Sequence, residues 1–251
     1  MKISVLASGS SGNSTYIESK GSSILIDAGI SARNISNKLS CIGKDISDID
    51  AVFITHEHTD HIKGAERLSR HFDIPVYLNR PTYEYSVLSL KKPNFFLTNK
   101  QIKFNDLLIT PFEVSHDAID PCGFKIQNNG EIIGVITDFG KPNENIKELT
   151  NKANCLVLET NHDVDMLING PYPYHLKQRI LGEKGHLSNI DAGLLVKENA
   201  SENLKRIFLA HLSQHNNTEK IALNTFSKLT EKLRLKNIMT RQEENTELVN
   251  I

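Results

Sequence analysis

The stretch His56-Glu57-His58-Thr59-Asp60-His61 brings three imidazoles and the Asp60 carboxylate within six residues. It follows residues 49–55, an apolar run whose length and β-branched content predict a buried strand. Sites in α/β folds form at the ends of strands, and imidazole and carboxylate groups are ligands for zinc, manganese and iron. The stretch therefore predicts a metal site, with a solvated loop that carries histidines by chance as the alternative. A helical His-Glu-x-x-His zinc site is excluded, because position 60 is Asp rather than His.

Composition and charge exclude several classes of protein. The 251 residues are 39% hydrophobic and 24% charged, as in globular proteins, and we expect a single domain over residues 1–251. With 29 Lys and Arg against 30 Asp and Glu, the chain lacks the bulk positive charge that coats nucleic acid. Three cysteines without C-x-x-C spacing indicate reduced thiols and a cytoplasmic protein. No apolar run is long enough for a signal peptide or a membrane span, so no membrane partner is expected.

Polar side chains of ligand type also stand where other predicted strands end. Four apolar runs behave in this way: 107–114 before His116, 132–137 before Asp138, 155–158 before Glu159 and 206–210 before His211. One strand that ends on such a residue is routine. Four of them in a chain that also carries the histidine-rich stretch predict that distant segments meet at one site.

The remaining elements are predicted from periodicity and from capping signals. Further strands are expected at 1–7, 15–18, 23–26, 74–78 and 246–251, and helices at 61–72, 82–91 and 218–234. Two roles stay open. The Gly/Ser-rich loop of residues 8–13 is either a phosphate cradle of backbone N–H groups or a hairpin turn. Asp27, before Ala28-Gly29, either caps a helix or supports a site.

His186 precedes a predicted helix. Ser188, with Asp191 three residues later, forms a capping-box pattern and predicts a helix that runs to about residue 200. Free N–H groups and the helix dipole favour an anion at this helix N-terminus. His186 is therefore a candidate for contact with an anionic substrate, with a structural histidine as the alternative.

The ligand-type residues follow one another in an order that resembles the metallo-β-lactamase superfamily: His56-x-His58-x-Asp60-His61, then His116, Asp138 and His211. The resemblance implies an αββα sandwich, in which two mixed β-sheets pack face to face with helices outside. It also implies two divalent metal ions, which are zinc, manganese or iron. One ion would be bound by His56, His58 and His116, the other by Asp60, His61 and His211, and Asp138 would bridge the two. Asp27 matches a carboxylate of the family that braces the ligands.

Position 138 and the C-terminal third bear on the reaction. Zinc β-lactamases that bind two metals have Cys at this position, whereas Asp138 is similar to phosphodiesterases and to glyoxalase-II-type thioesterases. Residues 185–188 and 204–213 are similar to the C-terminal motif of tRNase Z-type nucleases, whose long exosite arm is not recognisable here. That motif implies that His186 contacts the scissile phosphate or protonates the leaving 3′-oxygen, and that Glu159 holds the His186 ring.

The closer resemblance is to the bacterial WalJ/YycJ group, whose motifs span nearly the whole chain. They are Leu6-Ala7-Ser8-Gly9-Ser10-Ser11-Gly12-Asn13, Leu25-Ile26-Asp27-Ala28-Gly29, Thr55-His56-Glu57-His58, Asn161-His162-Asp163 and Lys184-Gly185-His186-Leu187-Ser188-Asn189. The resemblance implies a cytoplasmic exonuclease, linked to DNA repair, that degrades DNA from the 5′ end. It would hydrolyse the backbone with a metal-activated hydroxide that Asp60 orients. Nucleic acid, with DNA foremost, is the implied partner, and no stable protein partner is implied.

Three residues outside the ligand set are candidate substrate contacts: Asn161, His162 and Arg179. Arg179 lies with Lys177 and Lys184 in a locally basic run, which suits backbone phosphates. A loop histidine such as His162 can instead cap a turn.

Three other functions compete with a DNA exonuclease. A thioester or lactone hydrolase would use the same metal cluster but needs an apolar or glutathione-binding pocket in place of Glu159 and His186. An RNA-processing nuclease would share the whole constellation. A non-catalytic binding module is opposed by the complete set of ligand positions, because buried polar groups without a role cost free energy.

Overall fold

The computed structural model describes all residues, Met1–Ile251, and contains fourteen strands and nine α-helices. The strands are β1 (Lys2–Ala7), β2 (Ser14–Glu18), β3 (Ser23–Ile26), β4 (Ala51–Phe53), β5 (Val76–Asn79), β6 (Pro93–Phe96), β7 (Ile102–Phe104), β8 (Leu107–Glu113), β9 (Cys122–Asn128), β10 (Glu131–Ile136), β11 (Cys155–Glu159), β12 (Arg206–Ala210), β13 (Lys236–Met239) and β14 (Val249–Asn250). The helices are α1 (Ala32–Cys41), α2 (Thr59–Ile62), α3 (Ala65–His71), α4 (Arg80–Tyr85), α5 (Glu144–Lys152), α6 (Val164–Asn169), α7 (Tyr174–Leu181), α8 (Asn189–Asn199) and α9 (Glu219–Leu229). None of these helices combines the length and the apolar character needed to cross a membrane.

The strands form two seven-stranded mixed sheets. The first has the order β14-β1-β2-β3-β4-β5-β6 and the second the order β13-β12-β11-β10-β9-β8-β7. In each sheet three strand pairs are antiparallel and three are parallel. Two mixed sheets with flanking helices confirm the fold class that the resemblance implied.

The two sheets share an apolar core. Phe53 of the first sheet stacks on Tyr77 at a ring-centroid distance of 4.7 Å and meets Phe124 of the second sheet edge-on at 6.0 Å. Two further apolar clusters lie on the outer faces, one against α1 and α3 and the other against α5, α8 and α9. Because the central strands are covered on both faces, they read in sequence as continuous apolar runs.

Three predicted helices differ from the structure, and one of them, predicted at 218–234, ends at Leu229 because Thr230 is its C-cap. The predicted helix 61–72 is divided into α2 and α3, since the chain turns at Gly64, whose N–H donates to the Ala28 carbonyl at 2.7 Å. The predicted helix 82–91 is wrong at both ends. It begins at Arg80 because Asn79 caps it, and it ends at Tyr85 because the Ser86 hydroxyl donates to a helix carbonyl and the backbone becomes extended.

The capping prediction at Ser188 is confirmed: its hydroxyl accepts from the Asp191 N–H at 3.1 Å, and α8 ends at Asn199. The predicted last strand, 246–251, is shorter, with only Val249–Asn250 forming β14. The rest of that segment contacts the first sheet through isolated hydrogen bonds, such as Thr246 N–H to the Val5 carbonyl at 2.9 Å.

Two long-range connections join the sheets away from the core. Gln242, just after β13, accepts from the Ser11 N–H at 3.0 Å and donates to the Gly12 carbonyl at 2.8 Å. Asp106, in the turn between β7 and β8, accepts from the hydroxyls of Ser19 and Ser22 at 2.7 and 2.9 Å. The first connection fixes the loop between β1 and β2, and the second fixes the turn between β2 and β3.

Candidate metal centre

The predicted ligands meet at one edge of the sandwich. They follow the carboxyl ends of β3 and β4 in the first sheet and of β8, β10, β11 and β12 in the second. The side chains form four overlapping groups, and within each group the ligand atoms lie within 4.8 Å of one another. The groups are His56, His58 and His116; Asp60, His61 and His211; His56, His61 and Asp138; and Asp138, Glu159, His186 and His211. The first two groups coincide with the two ligand sets that the resemblance implied.

Asp138 lies between the two ligand sets. Its Oδ2 is 3.1 Å from His61 Nε2, and its Oδ1 is 3.3 Å from His211 Nδ1. In the first set, His56 Nε2 is 3.1 Å from His58 Nδ1 and the ring centroids of His56 and His116 are 5.1 Å apart. Asp138 also lies within 4.8 Å of a ring nitrogen of His56 in the first set, so its carboxylate can reach both sets.

Unsatisfied polar atoms show that the cluster fits cations. Asp138 Oδ2 and His211 Nε2 are buried and make no hydrogen bond of acceptable geometry. Burying a polar atom without a partner costs free energy, so such atoms need a role. Nitrogen and carboxylate oxygen donors gathered within 4.8 Å of one another are the ligand chemistry of zinc, manganese and iron.

The protonation states differ within the cluster when no cation is bound. Burial lowers the pKa of His56 well below its usual value and keeps the ring neutral, as a ligand must be. Burial opposes ionisation of Asp138, but the rings of His211 and His61 outweigh it and lower the pKa of the carboxyl. Burial also opposes protonation of His61, but the carboxylates of Asp27 and Asp138 raise its pKa.

Three of the residues adopt a backbone conformation that is uncommon outside glycine. Asp27, Asp138 and His211 have φ of +61°, +59° and +56°. Asp and His tolerate this left-handed region better than most residues, and such outliers cluster at functional sites. Asp27 and His211 stand immediately after a strand and Asp138 one residue later, so the extended backbone ends where each side chain enters the cluster.

Asp27 holds two residues of the cluster, His61 and Thr55, through its carboxylate. Its Oδ2 lies 2.7 Å from His61 Nδ1, and its Oδ1 accepts from the Thr55 N–H at 2.8 Å. The Thr55 hydroxyl donates to Asp27 and also lies 3.0 Å from His56 Nδ1. The first of the two roles left open for Asp27, a helix cap, is therefore wrong, because Ser31 caps α1.

The loop of residues 8–13 joins β1 to β2 and reaches into the site. Asn13 donates through Nδ2 to Asp60 Oδ2 at 3.3 Å, and its N–H donates to the Asp60 carbonyl at 2.8 Å. The Ser8 hydroxyl accepts from the His211 N–H at 2.7 Å. Sequence reasoning gave no role to Asn13, Thr55 and Ser8, although all three lie within the motifs that carry the resemblance.

Glu159 contacts two histidines. Its Oε1 lies 2.8 Å from His186 Nδ1 and 3.0 Å from His211 Nδ1, while Oε2 accepts from the Phe139 N–H at 2.9 Å. Burial opposes protonation of His186, but the carboxylate of Glu159 raises its pKa. The side chain of His186 is 20% exposed, so Glu159 holds a ring that solvent and substrate can reach.

The three predicted substrate contacts lie in different environments. Arg179 is exposed and pairs through Nε with Asp117 Oδ2. Asn161 is buried and donates to the His211 carbonyl at 2.9 Å, and His162 is 1% exposed with neither ring nitrogen hydrogen-bonded. Contact with substrate stays a prediction for all three, and burial of Asn161 favours a role in holding the His211 turn.

Comparison with known proteins agrees with this geometry. The Metallo-beta-lactamase superfamily pattern matches residues 7–131. "Exodeoxyribonuclease YycJ" of Bacillus anthracis is 37% identical over 236 residues, covering 92% of this chain and 89% of that protein. The chain belongs to the metallo-β-lactamase superfamily. "Exodeoxyribonuclease WalJ" of Streptococcus pneumoniae is 36% identical over 228 residues, covering 88% of this chain and 85% of that one. The chain is thus a metallo-β-lactamase-fold hydrolase homologous to exodeoxyribonucleases.

Other similarities are local or concern the fold. A hydroxyacylglutathione hydrolase of Wigglesworthia glossinidia is 36% identical over 88 residues, only 34% of this chain. The metallo-β-lactamase fold protein YhfI of Bacillus subtilis superposes with a TM-score of 0.75 at 17% identity, covering 98% of this chain and 99% of that chain. The human short-form tRNase Z superposes at 0.67 with 16% identity over the full length of both chains. These two structures share the superfamily fold with this chain.

Proposed function

We propose that this chain is a dinuclear-metal phosphodiesterase, and specifically a DNA exonuclease that acts in the 5′→3′ direction. The observation that carries the proposal is the Glu159–His186 pair, which lies beside the two ligand sets and presents a partly exposed imidazole. Homology to exodeoxyribonucleases over about nine-tenths of the chain supports DNA as the substrate.

In this proposal one divalent ion is held by His56, His58 and His116, a second by Asp60, His61 and His211, and Asp138 reaches both. Two such ions lower the pKa of water and neutralise charge on a phosphate. Zinc, manganese and iron all suit this ligand set.

The side chains around the ions have separate tasks. Asp60, which Asn13 holds in place, accepts a hydrogen bond from the attacking water and orients it toward phosphorus. Glu159 accepts a hydrogen bond from His186 Nδ1 and stabilises the protonated ring. His186 Nε2 is then free to donate. His186 then binds the scissile phosphate and donates a proton to the leaving 3′-oxygen.

The charge distribution suits a substrate that is bound by a few basic side chains. The net charge of the chain is −1, so DNA is held by the exposed Arg179 and its basic neighbours Lys177 and Lys184 rather than by a basic surface. The three cysteines are free, which supports action in the reducing cytoplasm.

A thioester hydrolase is the second candidate, favoured by the similarity to hydroxyacylglutathione hydrolases. That similarity covers about a third of the chain, whereas the exodeoxyribonucleases match nearly all of it. A match of 88 residues is too short to cover the whole site, which runs from His56 to His211.

The proposal is tested with end-labelled, 5′-phosphorylated DNA and RNA, single- and double-stranded, across zinc, manganese and iron(II), with an acyl-glutathione assayed in parallel. We expect mononucleotides to be released from the 5′ end of DNA. Release from the 3′ end would contradict the direction, and preferential cleavage of RNA would indicate an RNA-processing nuclease. Hydrolysis of acyl-glutathione alone would contradict a phosphodiesterase.

A further inference from the structure

A small cavity opens beside His186. It has a volume of about 150 Å³, and its lining includes Asp117, Tyr172, Arg179 and His186. Sites that enclose a whole small molecule measure roughly 300–1,000 Å³, so this cavity holds one part of a larger ligand. Neither the metal cluster nor the Glu159–His186 pair accounts for it.

Arg179 is the only guanidinium in the lining, and Asp117 is the only carboxylate. The two form an ion pair through Arg179 Nε and Asp117 Oδ2, and the Arg179 side chain remains 57% exposed. No group of the protein accepts a hydrogen bond from either terminal amino group of Arg179. The ion pair therefore fixes the plane of the guanidinium while its terminal N–H groups stay available for an oxyanion.

Tyr172 forms an aromatic wall of the same cavity. Its ring meets the exposed ring of His215 edge-to-face, with centroids 5.8 Å apart and an interplanar angle of 68°. An aromatic ring beside an arginine is the combination that binds single nucleotides, since the base stacks on the ring and the phosphate pairs with the guanidinium.

The direction of the proposed reaction places one particular nucleotide here. When water attacks phosphorus, the bond from phosphorus to the 3′-oxygen of the terminal nucleotide breaks, and His186 supplies the proton that this oxygen takes up. The next nucleotide keeps the phosphate. The terminal nucleotide therefore lies on the His186 side of the cluster, where the cavity opens.

We propose that this cavity is the subsite for the 5′-terminal nucleotide, with its 5′-phosphate on Arg179, its base on Tyr172, and Asp117 as the positioning residue for Arg179. The inference rests on the proposed function, because it takes the leaving nucleotide from that reaction. It adds a preference for phosphorylated ends and a contact with the base that tolerates all four bases.

The test is direct binding to the full-length, metal-loaded protein by calorimetry, with no turnover. Three probes separate the contacts: 2′-deoxyadenosine 5′-monophosphate, 2-deoxyribose 5-phosphate and 2′-deoxyadenosine. We expect the nucleotide to bind about 5- to 150-fold more tightly than the sugar phosphate, as stacking of one base allows. Tyr172→Ala should remove that difference and Tyr172→Phe should keep it. Tyr174→Ala is the matched control, since Tyr174 is 77% exposed and does not line the cavity.

Substitutions at the charged pair test the phosphate contact. Arg179→Met and Asp117→Asn should weaken both phosphate-bearing probes by similar factors and leave 2′-deoxyadenosine unchanged, and Asp117→Glu should restore part of the loss. A fold defect would weaken all three probes together. Equal binding of nucleotide and sugar phosphate in the wild type, or a Tyr172→Ala variant that keeps the difference, overturns the subsite.

Failure of the inference is distinguishable from failure of the proposed function. If the protein degrades DNA from the 5′ end but shows no preference for the nucleotide over the sugar phosphate, the subsite is wrong and the function stands. If no DNA is degraded, the proposed function fails whatever the probes do.

Discussion

At the scale of single residues, the candidate site depends on three residues that follow strands and have left-handed backbone conformations. Asp27, Asp138 and His211 each follow a strand with positive φ, at a cost of roughly 1–2 kcal/mol each for a non-glycine residue. The hydrogen bonds around them offset this cost, since Asp27 holds Thr55 and His61 while Ser8 holds the His211 N–H. Strain of this kind persists only where the surroundings determine the conformation.

His186→Ala tests the proposed acid. We expect kcat on 5′-phosphorylated duplex DNA to fall by about 10²- to 10⁴-fold, which is the usual contribution of a positioned proton donor. Metal content, measured by elemental analysis, should stay at the wild-type level, because the two ligand sets do not include His186.

His58→Ala is the control for that experiment. It removes one of the three nitrogens of the first ligand set, so metal content should fall together with activity. Loss of metal in His186→Ala to the same extent would identify His186 as a ligand and contradict its role as an acid.

Gly29→Ala tests the contact between two loops of the site. A β-carbon at position 29 would lie 1.6 Å from the Asp60 carbonyl oxygen, so the loop that carries Asp60 must move. We expect the free energy of unfolding to fall by about 3 kcal/mol or more in a urea titration, and metal affinity to fall with it.

Gly43→Ala is the matched control. Gly43 has positive φ, at +72°, which Gly29 does not, and nothing lies within 4 Å of an added β-carbon at position 43. It should cost only the conformational penalty of about 1 kcal/mol and leave metal affinity unchanged. Equal losses in the two variants would show that the contact with Asp60 adds nothing to the cost of replacing Gly29.

The ligand residues could be predicted from sequence because their types are rare together and their order is distinctive. Asn13 and Thr55 could not, since an Asn in a glycine-rich loop and a Thr after a strand are ordinary. Their importance comes from hydrogen bonds to Asp60 and Asp27, which lie 47 and 28 positions away. Only tertiary structure brings such pairs together.

At the scale of elements, the boundaries that sequence missed were decided by contacts outside the element. The apolar pattern of residues 61–72 suits one helix, but the Gly64 N–H donates to Ala28 instead of continuing the helix. In contrast, α8 was predictable, because its start depends on a local signal, the Ser188 hydroxyl. Local capping is readable in a sequence, and tertiary hydrogen bonding is not.

The turn between β7 and β8 leads to a prediction on pH. Burial opposes ionisation of Asp106, but hydrogen bonds from Ser19, Ser22 and Gly21 outweigh it, so the folded pKa lies below the ordinary value. A carboxyl with a lowered pKa stabilises the fold above its unfolded pKa of about 3.9, and this contribution is lost as the pH falls through the folded pKa.

Asp106→Asn should therefore destabilise the protein at pH 7 by about 0.5 kcal/mol, a small value because the side chain is exposed to solvent. The difference from wild type, measured by urea unfolding from pH 7 to pH 3.5, should shrink toward the acid end. A difference that is constant across this range would mean that the charge of Asp106 does not contribute.

At the scale of the whole molecule, both sheets are built on one plan. Each is assembled from strands that are consecutive in sequence, apart from β14, and each passes from antiparallel to parallel pairs. No repeat is visible in the sequence, because the two halves share strand directions and not residue types. The sheets meet through aromatic side chains of both.

Phe53→Ala tests this shared core. The ring contacts Tyr77 of its own sheet and Phe104 and Phe124 of the other, with centroids 4.7, 5.6 and 6.0 Å away. We expect a loss of about 3–5 kcal/mol in the free energy of unfolding, with one cooperative transition retained.

The exposed Phe72 is the matched control for the core, and Phe72→Ala should cost only about 0.5 kcal/mol. Two separate transitions in Phe53→Ala, followed by circular dichroism and by tyrosine fluorescence, would show that the sheets unfold independently.

The hydrogen bonds between Gln242 and the loop residues Ser11 and Gly12 can form only after nearly the whole chain has been synthesised. A ribosome adds about 5–20 residues per second, so the loop that steadies Asp60 waits roughly 10–50 s for its distant partner. During that interval the nascent chain already displays the imidazoles of His56, His58 and His61, while His211 has yet to be made. Only the completed polypeptide can therefore bind both ions stably, and an incomplete chain on a stalled ribosome would bind metal weakly.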